Sequence, residues 1–153
     1  MLMSITVLIA GTYVKQREAL RRLLTMEADM EVAGEAGTAE SALIEAQALG
    51  PDILLLDVDM AELDWPRLVN LLPLVSGRTR VLVVTMIDSD CYALELFKRG
   101  VMGYLLKDSD TDILLQAIRQ VHAGEKVIYA PLAQMTLGNL QGWLADYNMK
   151  RLD

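Results

Sequence analysis

Three apolar runs in this chain end in polar side chains of three different kinds: Ile53 to Leu56 in Asp57, Val81 to Val84 in Thr85, and Tyr104 to Leu106 in Lys107. A carboxylate, a hydroxyl and an ammonium on neighbouring strand ends can accept a phosphoryl group. The carboxylate attacks phosphorus, the ammonium balances the phosphoryl oxygens, and the hydroxyl hydrogen-bonds one of them. Such a transfer also needs a divalent cation held by one or two carboxylates, waters and the phosphate itself. Asp57 offers one ligand. The run Ile5 to Ala10 should reach the same edge, but it ends in Gly11-Thr12 with no acid. A hydroxyl and a backbone carbonyl do not replace two negative charges, so Mg2+ is expected to be held weakly or not at all. The same residues also allow a plainer arrangement, with Lys107 neutralising a buried Asp57 as an ion pair and Thr85 packed at a strand end.

For these groups to meet, the runs must be adjacent parallel strands, whose carboxyl ends line one crevice. The pattern supports this. Short apolar runs (Ile5 to Ala10, Met30 to Glu35, Ile53 to Asp57, Val81 to Thr85, Val101 to Leu106) alternate with helical spacing that begins near Val14, Ala39, Trp65, Ser89 and Thr111. Strands apolar on both faces belong to sheets covered on both sides, and connections of this length permit right-handed crossovers. The expectation is an α/β fold, a doubly wound, flavodoxin-like (βα)5 parallel sheet.

Local signals place the boundaries. Thr38 can cap the second helix, whose Ala42, Leu43, Ala46 and Leu49 share a face, and Gly50-Pro51 stops it. Asp64 before Trp65-Pro66 puts proline in the first turn of the third helix, while Pro73 should end or kink that helix near Leu72. Gly100 falls where a left-handed residue commonly follows a helix. Ser109 and Asp112 have capping-box spacing for the fifth helix, in which Ile113, Leu114, Ala117, Ile118 and Val121 form an apolar stripe. After Gly124 the alternation stops. Residues 131 to 149 read as an extra helical stretch carrying Leu132, Met135, Leu140, Trp143, Leu144 and Tyr147, weakened by Gly138 and Gly142.

With 153 residues, the chain suits one domain plus an appendage. A formal charge of −7 argues against nucleic-acid binding through this segment and favours a protein partner. The single cysteine, Cys91, excludes an internal disulfide and thiolate metal sites, and reads as a partly buried helix residue. No apolar stretch is long enough to span a membrane, and the start MLMSITVLIA lacks a basic leader, so a cytoplasmic location is expected.

Beyond these constraints, ILLLDVDM, VLVVT and GYLLKD follow one another in the order and register of a response-regulator receiver domain, which the chain resembles over roughly residues 4 to 124. The resemblance implies Asp57 as phosphoacceptor, Thr85 and Tyr104 as the switch pair, and Lys107 as the phosphate-contact lysine. Gly11 and Thr12 stand where the family has an acidic pair, and Met60-Ala61 where it usually has Met-Pro. The backbone carbonyl of Asp59 resembles a family metal ligand beside Asp57. REALRRLL, EVAGEA and AIRQVHAGEKVIYAP resemble the NarL/FixJ (LuxR-type) subgroup, whose members carry a C-terminal DNA-binding helix-turn-helix. The expected organisation is therefore a receiver-like domain at 1–124 and a linker with helical extension at 125–153, the DNA-binding module being absent from this chain.

The function expected is an atypical receiver of a two-component system, not an enzyme. It would have weak or no Mg-dependent Asp phosphorylation and would act through protein contacts, with a histidine kinase or other regulatory protein as partner and a homodimer as its assembly. Contacts are expected on helices one and five and the face that includes Cys91, Glu95, Lys98 and Gln116. A functional phosphoreceiver at Asp57 is the alternative. A flavodoxin-like nucleotide- or flavin-binding enzyme using the Ala10-Gly11-Thr12 turn as an anion cradle is a remote one.

Overall fold

A computed structural model describes residues 4–58 and 65–129. In chain order the elements are β1 (Ile5–Ala10), α1 (Val14–Thr25), β2 (Met30–Ala36), α2 (Ala39–Leu49), β3 (Ile53–Asp57), α3 (Trp65–Val75), β4 (Arg80–Thr85), α4 (Asp90–Lys98), β5 (Gly103–Leu106), α5 (Thr111–His122) and β6 (Val127–Tyr129). The strands form one sheet in the order β2-β1-β3-β4-β5-β6, and every pairing is parallel. This is the doubly wound α/β fold expected, with one strand more than expected. The alternation does not stop at Gly124, because Val127–Tyr129 returns to pair with β5.

Each strand feeds two cores because successive side chains point to opposite faces. Leu54, Leu56, Val81, Val83 and Tyr104 belong to the core that includes α2, α3 and α4 residues. Ile53, Leu55, Leu82 and Leu105 belong to the core built with α1 and α5. Both faces being covered, the central strands β1 and β3 read as largely apolar runs, whereas the edge strand β2 carries Glu31 and Glu35.

The helix boundaries show where local signals hold. Thr38 and Ser41 form a capping box at α2, and Gly50 closes that helix with φ 53°. Gly100 also has positive φ. Helix α3 is not ended by Pro73. It runs to Val75, and Ser76 N–H still donates to Leu72 C=O at 2.8 Å, so the helix continues past the missing proline donor. The capping box expected from Ser109 and Asp112 is not formed, since Asp110 is the N-cap of α5 and its side chain makes no capping bond. Cys91 is exposed rather than partly buried. The helical stretch expected at 131 to 149 lies outside the described residues, as do Asp59, Met60-Ala61 and Asp64.

Candidate functional site

Strand register decides which residues share the carboxyl edge. Ala10 pairs with Leu56, Asp57 with Val84, and Thr85 with Leu106. Gly11 and Asp57 are therefore level, with Thr85 one residue and Lys107 two residues further along their strands. Alternation along each strand then divides them. Asp57 follows Ile53 and Leu55 onto the α1/α5 face, whereas Thr85 follows Val81 and Val83 onto the face that also holds Tyr104.

On the first face, Lys107 Nζ lies 2.8 Å from Asp57 Oδ2. The carboxylate is buried, with 6% of the residue exposed. The structure thus joins two of the sequence-predicted groups directly, as a charge-assisted hydrogen bond at a largely dry strand end. Lys107 is anchored through its backbone as well, its N–H donating to Thr85 C=O at 2.9 Å.

On the second face, the residue pair Thr85 and Tyr104 meets at Ile87. Ile87 N–H donates to Thr85 Oγ1 at 3.0 Å, and the buried Tyr104 hydroxyl donates to Ile87 C=O. Tyr92 of α4 meets the Tyr104 ring edge-on, with centroids 6.2 Å apart. The loop after β4 is thereby fastened to β5 and, through the ring contact, to α4. On α4, Cys91, Glu95 and Lys98 are exposed; Gln116 of α5 is exposed as well.

The end of β1 holds a group that sequence reasoning passed over. Arg17, one turn into α1, turns its guanidinium back so that Nη1 donates to Gly11 C=O and, at 3.1 Å, to Thr12 C=O. Its Nε is 3.2 Å from Glu35 Oε1, and Arg21 Nε is 2.7 Å from Glu35 Oε2. A cation therefore lies against the carbonyls of the acid-free strand end. The spacing from Gly11 to Arg17 carries no signal by itself, because the contact depends on how α1 sets down on β2.

Among the described residues, no group of three or more His, Cys, Asp or Glu side chains is placed to hold a metal ion, and no helix is long and apolar enough to cross a membrane.

Comparisons with known proteins agree with this geometry. Residues 7–119 match the response regulator receiver domain. The chain is 31% identical over 136 residues to the nitrate/nitrite response regulator NarL of Escherichia coli K12, covering 89% of this chain and 63% of that protein. It is 35% identical over 121 residues to NarP of the same organism, covering 79% of this chain and 56% of that one. Among solved structures, a LuxR-family two-component response regulator from Aurantimonas sp. SI85-9A1 superimposes with a TM-score of 0.79 at 27% identity, covering 86% of this chain and 94% of that one. The chain spans under two thirds of the length of these two curated relatives. The parallel sheet, the register of its carboxyl edge and these matches together establish that the chain belongs to the response regulator receiver domain family, in its NarL/FixJ, LuxR-type subgroup.

Proposed function

We propose that this receiver domain of a two-component response regulator transmits its signal through protein contacts, with Mg2+-dependent phosphorylation of Asp57 weak or absent. The observation that carries this reading is the pair of cations at the site: Lys107 on Asp57 and Arg17 on the carbonyls of Gly11 and Thr12. Mg2+ takes six oxygen ligands in near-octahedral geometry and is usually bound through one or two carboxylates. The described donors do not fit that demand. Asp57 is engaged by Lys107, and the two carbonyls at the end of β1 already accept from a guanidinium, whose charge opposes a second cation. Asp59, the remaining ligand considered, lies outside the described residues.

In this reading Asp57, Thr85, Tyr104 and Lys107 keep the family's switch framework, and its two states are selected by a partner that binds them differently. The partner is a histidine kinase or other regulatory protein, and the acting unit is a homodimer. The receiver-like unit occupies 1–124, and the first residues of the 125–153 extension add β6 to its sheet. On the resemblance to the NarL/FixJ subgroup, the output is assigned to a DNA-binding module rather than to this receiver domain. Family members of this kind are signalling rather than catalytic modules. The Ala10-Gly11-Thr12 turn presents the carbonyls of Gly11 and Thr12 to Arg17.

Calorimetric titration with Mg2+ tests the cation argument. The wild-type chain should show no saturable uptake at low millimolar Mg2+, and Gly11→Asp with Thr12→Asp should gain it. Saturation of the wild-type chain at low millimolar Mg2+ would overturn the reading.

A further inference from the structure

Between α1 and α5, on the face that carries Asp57 and Lys107, lies a cavity of about 290 Å3. An engineered apolar cavity of about 150 Å3 takes up benzene, so a space of this size is ample for a small organic molecule. Its floor and inner wall are apolar: Ile9, Leu55 and Leu105 are almost fully buried, and Leu114 is close to it. The charged groups of the lining are Arg17, Asp57 and Lys107, two cations and one carboxylate, all belonging to the carboxyl edge of the sheet. At the opposite edge α5 is tied to the loop that follows α1. Arg119 of α5 bonds both carboxylate oxygens of Asp29, at 2.8 and 2.9 Å, and Glu27 at 2.7 Å.

The space is therefore an apolar slot with ion-paired groups at one end, Lys107 on Asp57 and Arg17 on Glu35. We propose that it is a binding pocket for a small apolar carboxylate, with a body of about ten carbon atoms against Leu55, Leu105 and Leu114 and its acid group against Lys107 and Arg17. Lys107 is also the ion-pair partner of Asp57. An occupant's carboxylate competes for that ammonium, so filling the pocket alters the state of the site without any covalent change. The pocket is independent of the Mg2+ argument, because it would operate whether or not Asp57 is ever phosphorylated.

The test is a titration of the isotope-labelled 153-residue chain with 1-naphthoate, followed by amide chemical shifts, with 1-methylnaphthalene as the uncharged counterpart. Saturable shifts are expected at Ile9, Leu20, Leu105 and Leu114. The uncharged probe, and the acid with a Lys107→Met variant, should each bind about tenfold more weakly. Leu20→Trp, which enlarges a partly buried wall residue, should abolish the shifts while the far-ultraviolet circular dichroism stays that of a folded chain. If Leu20→Trp does not fold, Lys107→Met decides. Absence of saturation at millimolar naphthoate, shifts confined to other surfaces, or equal affinity for the two probes would overturn the proposal. Phosphoryl labelling is read by mass, so failure here leaves the phosphorylation argument standing, and the reverse.

Discussion

Replacing Lys107 with Met leaves the Asp57 carboxylate in its strand-end position while removing the ammonium 2.8 Å away. Breaking a fully buried pair in this way costs about 3–5 kcal/mol, because a charge is left without compensation. The Asp57 side chain is 8% exposed, but that of Lys107 is 24% exposed, so water can follow into the vacated space. The expected loss is accordingly about 1–3 kcal/mol. For a chain of this length a loss of about 2 kcal/mol lowers Tm by about 4–8 °C. Asp57→Asn removes the charge instead and should cost less than about 1.5 kcal/mol, the worth of an ordinary hydrogen bond. The double variant should be nearly as stable as Asp57→Asn alone, since a neutral amide needs no cation. Urea unfolding of the four proteins, compared at constant m, gives the coupling energy directly. Additive losses, or a Lys107→Met protein as stable as the wild type, would refute the claim that this ion pair neutralises a buried charge.

Other consequences follow from individual contacts. Tyr104→Phe deletes the hydroxyl that bonds Ile87 C=O and should cost about 1 kcal/mol, with faster amide exchange in the loop after β4 as its local sign. Gly103→Ala places a methyl group 2.1 Å from Leu82 Cδ1 and 3.1 Å from Val121 Cγ2, so overpacking by about 1–3 kcal/mol is expected in thermal unfolding. Thr38→Ala removes the capping box of α2, a loss of about 1 kcal/mol by urea titration. Asp29 is held below its ordinary value of 3.8, chiefly by its hydrogen bonds from Arg119. A carboxyl depressed on folding binds more protons in the unfolded chain, so its contribution is complete above about pH 4 and is lost as pH falls through the depressed value. Arg119→Met should therefore lower stability at neutral pH, and the difference from wild type should shrink as pH falls through the depressed Asp29 value.

What could be read from the residues was whatever depends on near neighbours. The ends of β1 and β3, the Thr38 cap and the stop at Gly50 coincide with the structure because apolar run length, a capping hydroxyl and a left-handed glycine are local devices. The approach of Lys107 to Asp57 followed from strand order in a parallel sheet, which the repeated alternation made legible. Strand β6 escaped because three residues after a helix-terminating glycine make too short a run to register. The start of α5 at Thr111 agrees with the expectation, but its cap is Asp110 rather than Ser109, two residues equally plausible as caps by type. Pro73 does not end the third helix, which runs on to Val75. Arg17 was invisible because its partners, Gly11, Thr12 and Glu35, are assembled by tertiary placement of α1 on β2.

The most direct test of the central claim is the intact mass of the protein after incubation with acetyl phosphate, with and without Mg2+, beside an Asp57→Asn control. The arrangement of Lys107 and Arg17 around an acid-free strand end predicts no Mg2+-dependent phosphoryl adduct under conditions that label an ordinary receiver. An adduct that requires both Mg2+ and Asp57 would contradict the account and establish a working phosphoreceiver with an unusual cation site.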